Sequence, residues 1–219
     1  MSLSELWSLY GQNYIDALLA TWGMTLESFA IAMVLAVAVT VMRVSPLKPL
    51  RVFGDLYVQV FRNIPGIALL IIVVYALPPL KVVLPYRTCV IVATVLLGSA
   101  FGSENFMSGI NTVGVGQVEA ARSLGMSFSR ILAKIVIPQA LRSSVLPMTN
   151  LFIAVMLTTA LGSQVPLKPQ ELTGVVGYIN TRSLGGVAAF FISALGYLGT
   201  AFVVSHIGNY IDKKVRILR

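Results

Sequence analysis

The segment 116–138 is polar and basic, lies between two long apolar runs, and holds the residue types best suited to binding another protein. Glu119 offers a charged hydrogen-bonding group beside two small residues, Ala120 and Ala121, where the backbone of a partner can approach closely. Gly125 predicts the end of a short helix here, because glycine accepts the left-handed backbone common at that point. The residues expected to contact a partner are Gly116, Gln117, Glu119, Ala120, Ala121, Arg122 and Gly125.

A second short helix is expected to follow in the same segment. Ser127 is a suitable N-cap for it, and Pro138 is expected to end it. Between them, apolar residues recur at helical spacing and would anchor the segment against the apolar runs: Ile131, Leu132, Ile135 and Val136. We therefore interpret 116–138 as a rigid docking element, with an ordinary amphipathic loop helix as the alternative.

Ionisable residues inside apolar runs cost about 2.5–3.5 kcal/mol each near the centre of a bilayer, so each one needs a reason. Arg62 and Glu104 fall near the same end of two neighbouring apolar runs. We expect them to form an ion pair at a gate, with separate extension of both side chains to the membrane surface as the alternative. Glu27 is expected to extend to the headgroups.

Hydroxyl and amide side chains near the middle of the apolar runs are candidates for contact with a polar solute. They can replace the hydration of a charged group without holding it by a fixed charge. The alternative is that they bond to their own helix or allow close helix packing. The candidate path residues are Ser99, Ser103, Asn150, Thr158 and Thr159.

Catalytic and cofactor chemistry has little support in the sequence. There is no G-x-x-x-x-G-K-[ST] and no Gly-Lys pair, so no phosphate-binding loop for ATP is expected. No cluster of His, Cys, Asp and Glu predicts a metal site, and no nucleophile–base pair predicts hydrolysis. We do not expect an enzyme or a bound cofactor, and any use of ATP and Mg²⁺ would belong to another polypeptide.

The composition is that of an integral membrane protein with one membrane domain. Of the 219 residues, 57% are apolar and 11% are charged, against about 25% charged in soluble proteins. The net charge of +8 comes from scattered basic residues, so nucleic acid is not an expected partner. Cys89 has no second cysteine to pair with, and we expect no secretory signal peptide.

Five apolar segments are long enough to cross about 30 Å of hydrocarbon as helices, which takes roughly 20 residues each. We expect an all-α membrane domain over residues 21–219, with the helix of the second span ending near Pro78-Pro79. Residues 1–20 are expected to form an interfacial helix outside, because aromatic residues such as Trp7 and Tyr14 recur there at helical spacing. The spans are predicted at 21–42, 64–84, 88–107, 145–161 and 187–207.

Lysine and arginine predict the orientation, because the cytoplasmic segments of membrane proteins carry more of them. With the N-terminus outside, 12 of the 16 basic residues fall on the inner side and 4 on the outer side, so the C-terminus and the segment 116–138 are predicted to be cytoplasmic. The inner set includes Arg216 and Arg219, and the outer set is Lys81, Arg87, Lys168 and Arg182. The five spans do not pair off as an internal repeat, so we expect half of a pore that a second subunit completes.

The spacing within 116–138 resembles the EAA loop in the membrane subunits of ATP-binding cassette (ABC) importers. Glu119-Ala120-Ala121 is followed after three residues by Gly125, after nine more by Ile135, and then by Ile137-Pro138, where the family usually has Leu-Pro. The resemblance implies that residues 111–142 form a coupling loop. Such a loop fits a groove on an ATPase subunit and carries the closure of that subunit into the membrane.

Further stretches resemble the polar amino-acid permeases of the histidine/glutamine type, over roughly residues 23–172. They are 57–65 (YVQVFRNIP), Glu104, 108–110, 116–125 and 138–140, while 42–46 and 108–113 resemble the glutamate permeases of actinobacteria in particular. The resemblance implies a type I importer fold in the bacterial cell membrane that carries glutamate or another polar amino acid. It also implies a second permease subunit, two cytoplasmic ATPases that bind ATP and Mg²⁺, and an extracellular or lipid-anchored solute-binding protein.

Two departures from that family bear on the assembly. The family usually has a lysine in the fourth span where this chain has Leu157 before Thr158-Thr159, and the stretch 164–170 is slightly longer than usual. We therefore favour a heterodimer that shares the substrate contacts unequally, with a homodimer as the alternative. The sequence leaves open an ATP-independent carrier or channel subunit, and a membrane scaffold or sensor.

Overall fold

The computed structural model describes residues 3–182 and 186–215, and within these ranges the chain forms helices and no strand. Arg216 and Arg219, two of the basic residues predicted to be cytoplasmic, lie outside the described residues. The helices are α1 (Leu3–Val44), α2 (Lys48–Asn63), α3 (Gly66–Ile71), α4 (Tyr86–Asn111), α5 (Val115–Ser123), α6 (Phe128–Ile131), α7 (Ile137–Ser143), α8 (Val145–Thr158), α9 (Gly174–Asn180) and α10 (Gly186–Val215).

Several of these helices continue as turns of a different pitch. A π-helical turn, Ile72–Ala76, extends α3, and a second one, Leu132–Val136, joins α6 to α7. Pro78–Leu80 form a 3-10 turn, and a 3-10 helix, Thr159–Gln164, extends α8. The predicted end of the second helix near Pro78-Pro79 is confirmed, because the π-helical turn stops at Ala76.

The N-terminal segment and the first predicted span form one helix. α1 has 42 residues and is about 63 Å long at 1.5 Å per residue, so it exceeds the hydrocarbon thickness of a bilayer. The prediction of a separate helix at 1–20 is therefore wrong in its boundary. Tyr14, expected at the membrane surface, is buried with 3% of its surface exposed, and its hydroxyl donates to the carbonyl of Ala189 at 2.9 Å.

Four helices are long and apolar enough to cross a membrane, and the described ranges hold five such elements if α2 and Gly66–Leu80 count as one bent span. The bend between those two parts is 102°. It occurs where Ile64 adopts an extended backbone before Pro65, as residues before proline commonly do. The predicted spans thus correspond to four long helices and one bent pair.

α4 lies at the centre of the bundle and is the most buried of the long helices, whereas α10 is the least buried. Glycines allow α1 to approach α4 closely. A methyl group at Gly102 would come within 2.9 Å of Ala36, and one at Gly98 within 3.3 Å of Ala32. Such small-residue contacts are typical of helix packing in membranes, where no water drives the helices together.

Candidate functional site

The first helix of the segment 116–138 is close to its prediction. α5 ends at Ser123, and Gly125 follows with a φ of +75° in the left-handed region. The Gly125 N–H donates to the carbonyl of Arg122 at 2.9 Å, and the Met126 N–H donates to that of Ala121 at 3.1 Å. These bonds satisfy carbonyls at the end of α5, which is the expected consequence of a left-handed glycine after a helix.

The two alanines of the predicted contact surface face different ways. Ala120 is exposed beside Glu119, but Ala121 is only 4% exposed and packs with Val113 and Ile131. The prediction that both alanines meet a partner is therefore wrong for Ala121. A helix of this length lying on the loop must bury one face, and Ala121 falls on that face. Gly116, Gln117, Glu119, Arg122 and Gly125 are exposed, as the prediction requires.

The second helix does not end at Pro138 as predicted. It passes through a π-helical turn, in which the Ile137 N–H donates to the carbonyl of Leu132, and continues as α7 to Ser143. The wider turn just before the proline accommodates a residue that has no N–H to donate. The predicted apolar stripe is confirmed: Ile131 and Val136 are buried, and Leu132 and Ile135 pack against them.

Two exposed apolar residues on this loop were missed by the sequence analysis. Leu124 is 83% exposed, and Phe128 is 47% exposed. The cations Arg122, Arg130 and Lys134 are exposed on the same loop. The sequence gives one indication of this surface. Leu124 directly precedes Gly125, which ends the helix, so it lies past the face that the short helix buries.

The loop is attached to the long helices by close contacts. The Gln139 side-chain amide donates to Gln117 Oε1 at 2.7 Å and so joins α7 to α5. A methyl group at Gly109 would meet Ser144 Oγ and would lie 2.7 Å from the carbonyl oxygen of Ala140, so the end of α4 rests directly on the end of α7. The loop is therefore in direct contact with the end of α4, with no space between them for a side chain.

A charge network lies at the predicted gate. Arg62 pairs with Glu104 at 3.5 Å, which confirms the predicted ion pair, but the shorter contacts belong to Arg43, which was not predicted to take part in it. Arg43 pairs with Asp55 at 2.9 Å and with Glu104 at 3.1 Å, and also donates to Ser103 Oγ at 3.2 Å. The network therefore joins the ends of α1, α2 and α4.

A second ion pair joins the middle of α1 to the start of α4. Arg87 donates to Glu27 at 2.7 Å, and both side chains are about half exposed. Glu27 thus has a protein partner, whereas the sequence analysis expected it only to extend to the headgroups. The partner could not be predicted, because the pairing depends on the register of α1 against α4.

A groove of approximately 1060 Å³ runs between α3, α4 and α8. Two of the predicted path residues, Asn150 and Thr158, line it. The groove is mostly apolar, and its polar groups are Arg62, Thr94, Asn105, Asn150, Thr158 and Gln164. The Thr94 hydroxyl is buried behind the groove wall and has no hydrogen-bond partner among the residues that the structure describes.

The other three predicted path residues do not line the groove. Ser99, Ser103 and Thr159 are fully buried, and each has protein partners. Ser99 shares a hydrogen bond of 2.7 Å with the hydroxyl of Tyr57, and Thr159 donates to the carbonyl of Met156 at 2.6 Å. Ser99 therefore bonds to α2 and Thr159 bonds back to its own helix, which agrees with the alternative interpretation that these hydroxyls bond to their own helix or serve helix packing. Within the described ranges, no group of three or more His, Cys, Asp and Glu residues could hold a metal ion.

Comparison with known proteins identifies the family. Residues 28–217 match the family described as "Binding-protein-dependent transport system inner membrane component". The chain belongs to this family. It is 35% identical over 208 residues to the glutamate transport system permease protein GluC of Corynebacterium efficiens, which covers 90% of this chain and 91% of that one. It is 31% identical over 215 residues to the L-cystine transport system permease protein TcyB of Bacillus subtilis, covering 95% and 91%.

Solved structures share the fold of this family member. An amino acid ABC transporter crystallised with histidines superposes with a TM-score of 0.91 at 24% identity, covering 98% of this chain and 99% of that one. The MetNI methionine ABC transporter in an inward-facing conformation gives 0.73 at 20% identity, covering 99% and 100%. The chain therefore has the type I ABC importer permease fold, is a multi-pass membrane protein, and works as a transport subunit in a complex with other subunits.

Proposed function

We propose that this permease subunit forms half of the pore of an ATP-driven importer of polar amino acids, with glutamate as the first candidate. The observation that carries the proposal is the exposed loop, where Glu119 and Leu124 are exposed beside a buried apolar cluster, and where α7 packs directly on the end of α4. The relatives support the substrate class, since they are named for glutamate, L-cystine and glutamine.

The loop has the character of a docking surface for a cytoplasmic ATPase that binds ATP and Mg²⁺. Leu124 and Phe128 supply exposed apolar area, and Glu119 supplies a single acidic group. Two basic residues, Arg122 and Arg130, lie on the same loop and outnumber this acidic residue. A matching partner surface therefore has an apolar pocket with acidic residues at its rim, because complementary charge steers association and excludes wrong partners. Two such ATPases, one for each permease subunit, complete the inner side.

The groove between α3, α4 and α8 is the candidate solute path. Arg62 is the one charged residue among those that line it, and the remaining polar groups are hydroxyls and amides. This lining suits a solute that carries a carboxylate and is poorly suited to a strongly cationic one. The path is open along one side, which a second permease subunit closes. We favour a different chain for this subunit over a second copy of the same chain. An extracellular or lipid-anchored solute-binding protein delivers the solute.

The test is uptake of radiolabelled amino acids into proteoliposomes that contain the complete complex and internal ATP. Glu119→Arg is expected to abolish coupled uptake and to weaken retention of the ATPase. The matched control is Asp16→Arg, which makes the same charge change at an exposed site on α1, and it is expected to transport normally. Normal uptake by Glu119→Arg would contradict the coupling role, and uptake without ATP would indicate an ATP-independent carrier.

The heterodimer has a separate test. The mass of the purified complex gives its subunit composition directly. We expect one copy of this chain with one different permease chain and two ATPases. Two copies of this chain with no second permease would refute the heterodimer and leave the homodimer.

A further inference from the structure

Glu171 is a fully buried carboxyl group that neither the gate nor the groove uses. It lies between the 3-10 helix that extends α8 and the start of α9, with 0% of its surface exposed. Within the described ranges no lysine, arginine or histidine lies within ion-pair distance of it. Burying a carboxyl group without a cation is costly, so the contacts that hold it are informative.

Three hydrogen bonds converge on this carboxyl group. The Thr173 N–H donates to Oε2 at 2.6 Å, the Gly174 N–H donates to Oε1 at 2.7 Å, and the Tyr197 hydroxyl donates to Oε2 at 3.0 Å. Burial raises the pKa of Glu171, and the hydrogen bonds from Thr173, Gly174 and Tyr197 offset part of that rise by favouring the carboxylate. Both oxygens act as acceptors, and that arrangement is one an amide cannot reproduce.

The same side chain packs against the end of the groove wall. A methyl group at Gly162 would come within 3.0 Å of Glu171 Cγ, so the two residues are already in close contact. Gly162 belongs to the 3-10 helix Thr159–Gln164, and other residues of that helix, Ala160, Leu161 and Gln164, line the groove. Glu171 thus lies directly behind the wall at this end.

The chain around Glu171 is inserted into the bundle. Leu167 is buried in a cluster with residues of α1, α3 and α4, including Met24, Leu70 and Val90. The Leu172 N–H donates to Thr21 Oγ1 at 3.1 Å and so reaches α1. The stretch 165–172 therefore contacts most of the long helices at the end of the groove away from the coupling loop.

We propose that Glu171 is a positioning residue that holds the 3-10 helix and the stretch 165–172 in place as the outer closure of the groove. Opening this end moves the 3-10 helix relative to α9 and α10, and Glu171 is the side chain that joins all three. The role rests on the proposed function, since it assigns the groove to the solute. It goes beyond that function by naming the residue that resists opening at the outer end.

The test is labelling of Gln164→Cys by a membrane-impermeant thiol reagent in a Cys89→Ser background, with the complex in proteoliposomes and no ATP. Glu171→Gln keeps the size of the side chain but replaces one of its two acceptor oxygens by an NH2 group, which then faces one of the two backbone N–H groups. Because the amide NH2 cannot accept that backbone hydrogen bond, a buried N–H is left without its partner, and we expect about a tenfold faster labelling rate. ATP hydrolysis in the absence of solute is expected to rise as well, because the outer end opens more easily and then limits the transport cycle less.

Two further variants keep the test decisive. Tyr197→Phe removes one of the three donors and keeps the ring, so an increase of about threefold is expected, and it replaces Glu171→Gln if that variant fails to assemble. Glu27→Gln makes the same chemical change in the exposed outer ion pair and is expected to label at the wild-type rate. Wild-type labelling in every assembled Glu171 and Tyr197 variant would overturn the proposal. Labelling does not depend on transport, so absence of uptake would count against the proposed function alone.

Discussion

Arg43, and not Arg62, is expected to be the main side chain that holds α1, α2 and α4 together at the charge network. Arg43→Met keeps the apolar stem and removes the guanidinium from Asp55, Glu104 and Ser103. The Arg43 side chain is only 12% exposed, but its carboxylate partners Asp55 and Glu104 are 58% and 40% exposed. Water can therefore resolvate the two carboxylates when the arginine is removed, and the full cost of a buried orphan charge does not apply.

The expected magnitude follows from those exposures. Each of the two ion pairs contributes about 1 kcal/mol, the upper end for partly exposed pairs. The hydrogen bond to Ser103 adds about 0.5–1 kcal/mol, so Arg43→Met should lower the free energy of unfolding by about 2–3 kcal/mol. Arg62 makes one pair, at 3.5 Å and with both side chains more than a third exposed, so Arg62→Met should cost about 0.5 kcal/mol.

The assay is reversible unfolding of the purified subunit in mixed micelles, followed by helical circular dichroism. Arg87→Met in the exposed outer pair is the control, with an expected cost of about 0.5 kcal/mol. Arg62 lines the groove, so Arg62→Met should instead raise the KM for uptake with little change in stability. The reasoning would be refuted if Arg62→Met destabilised the subunit as much as Arg43→Met, because the shorter contacts of Arg43 would then contribute no more to stability than the longer contact of Arg62.

Three further changes test other parts of the structure. Leu124→Ser removes an exposed apolar group, so the subunit should keep its stability within about 0.5 kcal/mol while its affinity for the ATPase falls at least about tenfold; unchanged binding would exclude Leu124 from the interface. Asn150→Leu should raise the KM for uptake, whereas Ser99→Ala should lower stability and leave the KM unchanged; the reverse pattern would contradict the position of the groove. Gly102→Leu should lower the free energy of unfolding by about 2 kcal/mol or more, because α1 leaves no space for a side chain, while Gly199→Ala meets nothing within 4 Å and should be neutral in the same unfolding assay.

The features that the sequence predicted correctly depend on local pattern. Long apolar runs predict the long helices, because a buried or lipid-facing helix must satisfy its own backbone. Gly125 predicts the end of α5 for a similarly local reason, and Pro78 the end of the second helix. The family could be recognised because the segment 116–138 keeps the spacing of the EAA loop.

The errors arise where packing between helices decides the outcome. Ala121 was expected to face a partner, but which face a short helix buries depends on what lies beneath it. Ser99 and Ser103 occupy mid-span positions like Asn150, and only the arrangement of α2 and α1 against α4 makes them internal. Pro138 is a helix breaker in isolation, yet a π-helical turn that no propensity scale predicts carries the helix past it.

α8 is the element through which the coupling loop reaches the solute groove most directly. α7 ends at Ser143 and α8 begins at Val145, and between them the Ser144 hydroxyl donates to the carbonyl of Ala140 at 2.8 Å. α8 then carries Asn150 and Thr158 along the groove, and its 3-10 extension ends against Glu171. If the proposed function holds, a displacement at the loop would be transmitted along this continuous stretch of chain to the middle and to the far end of the groove.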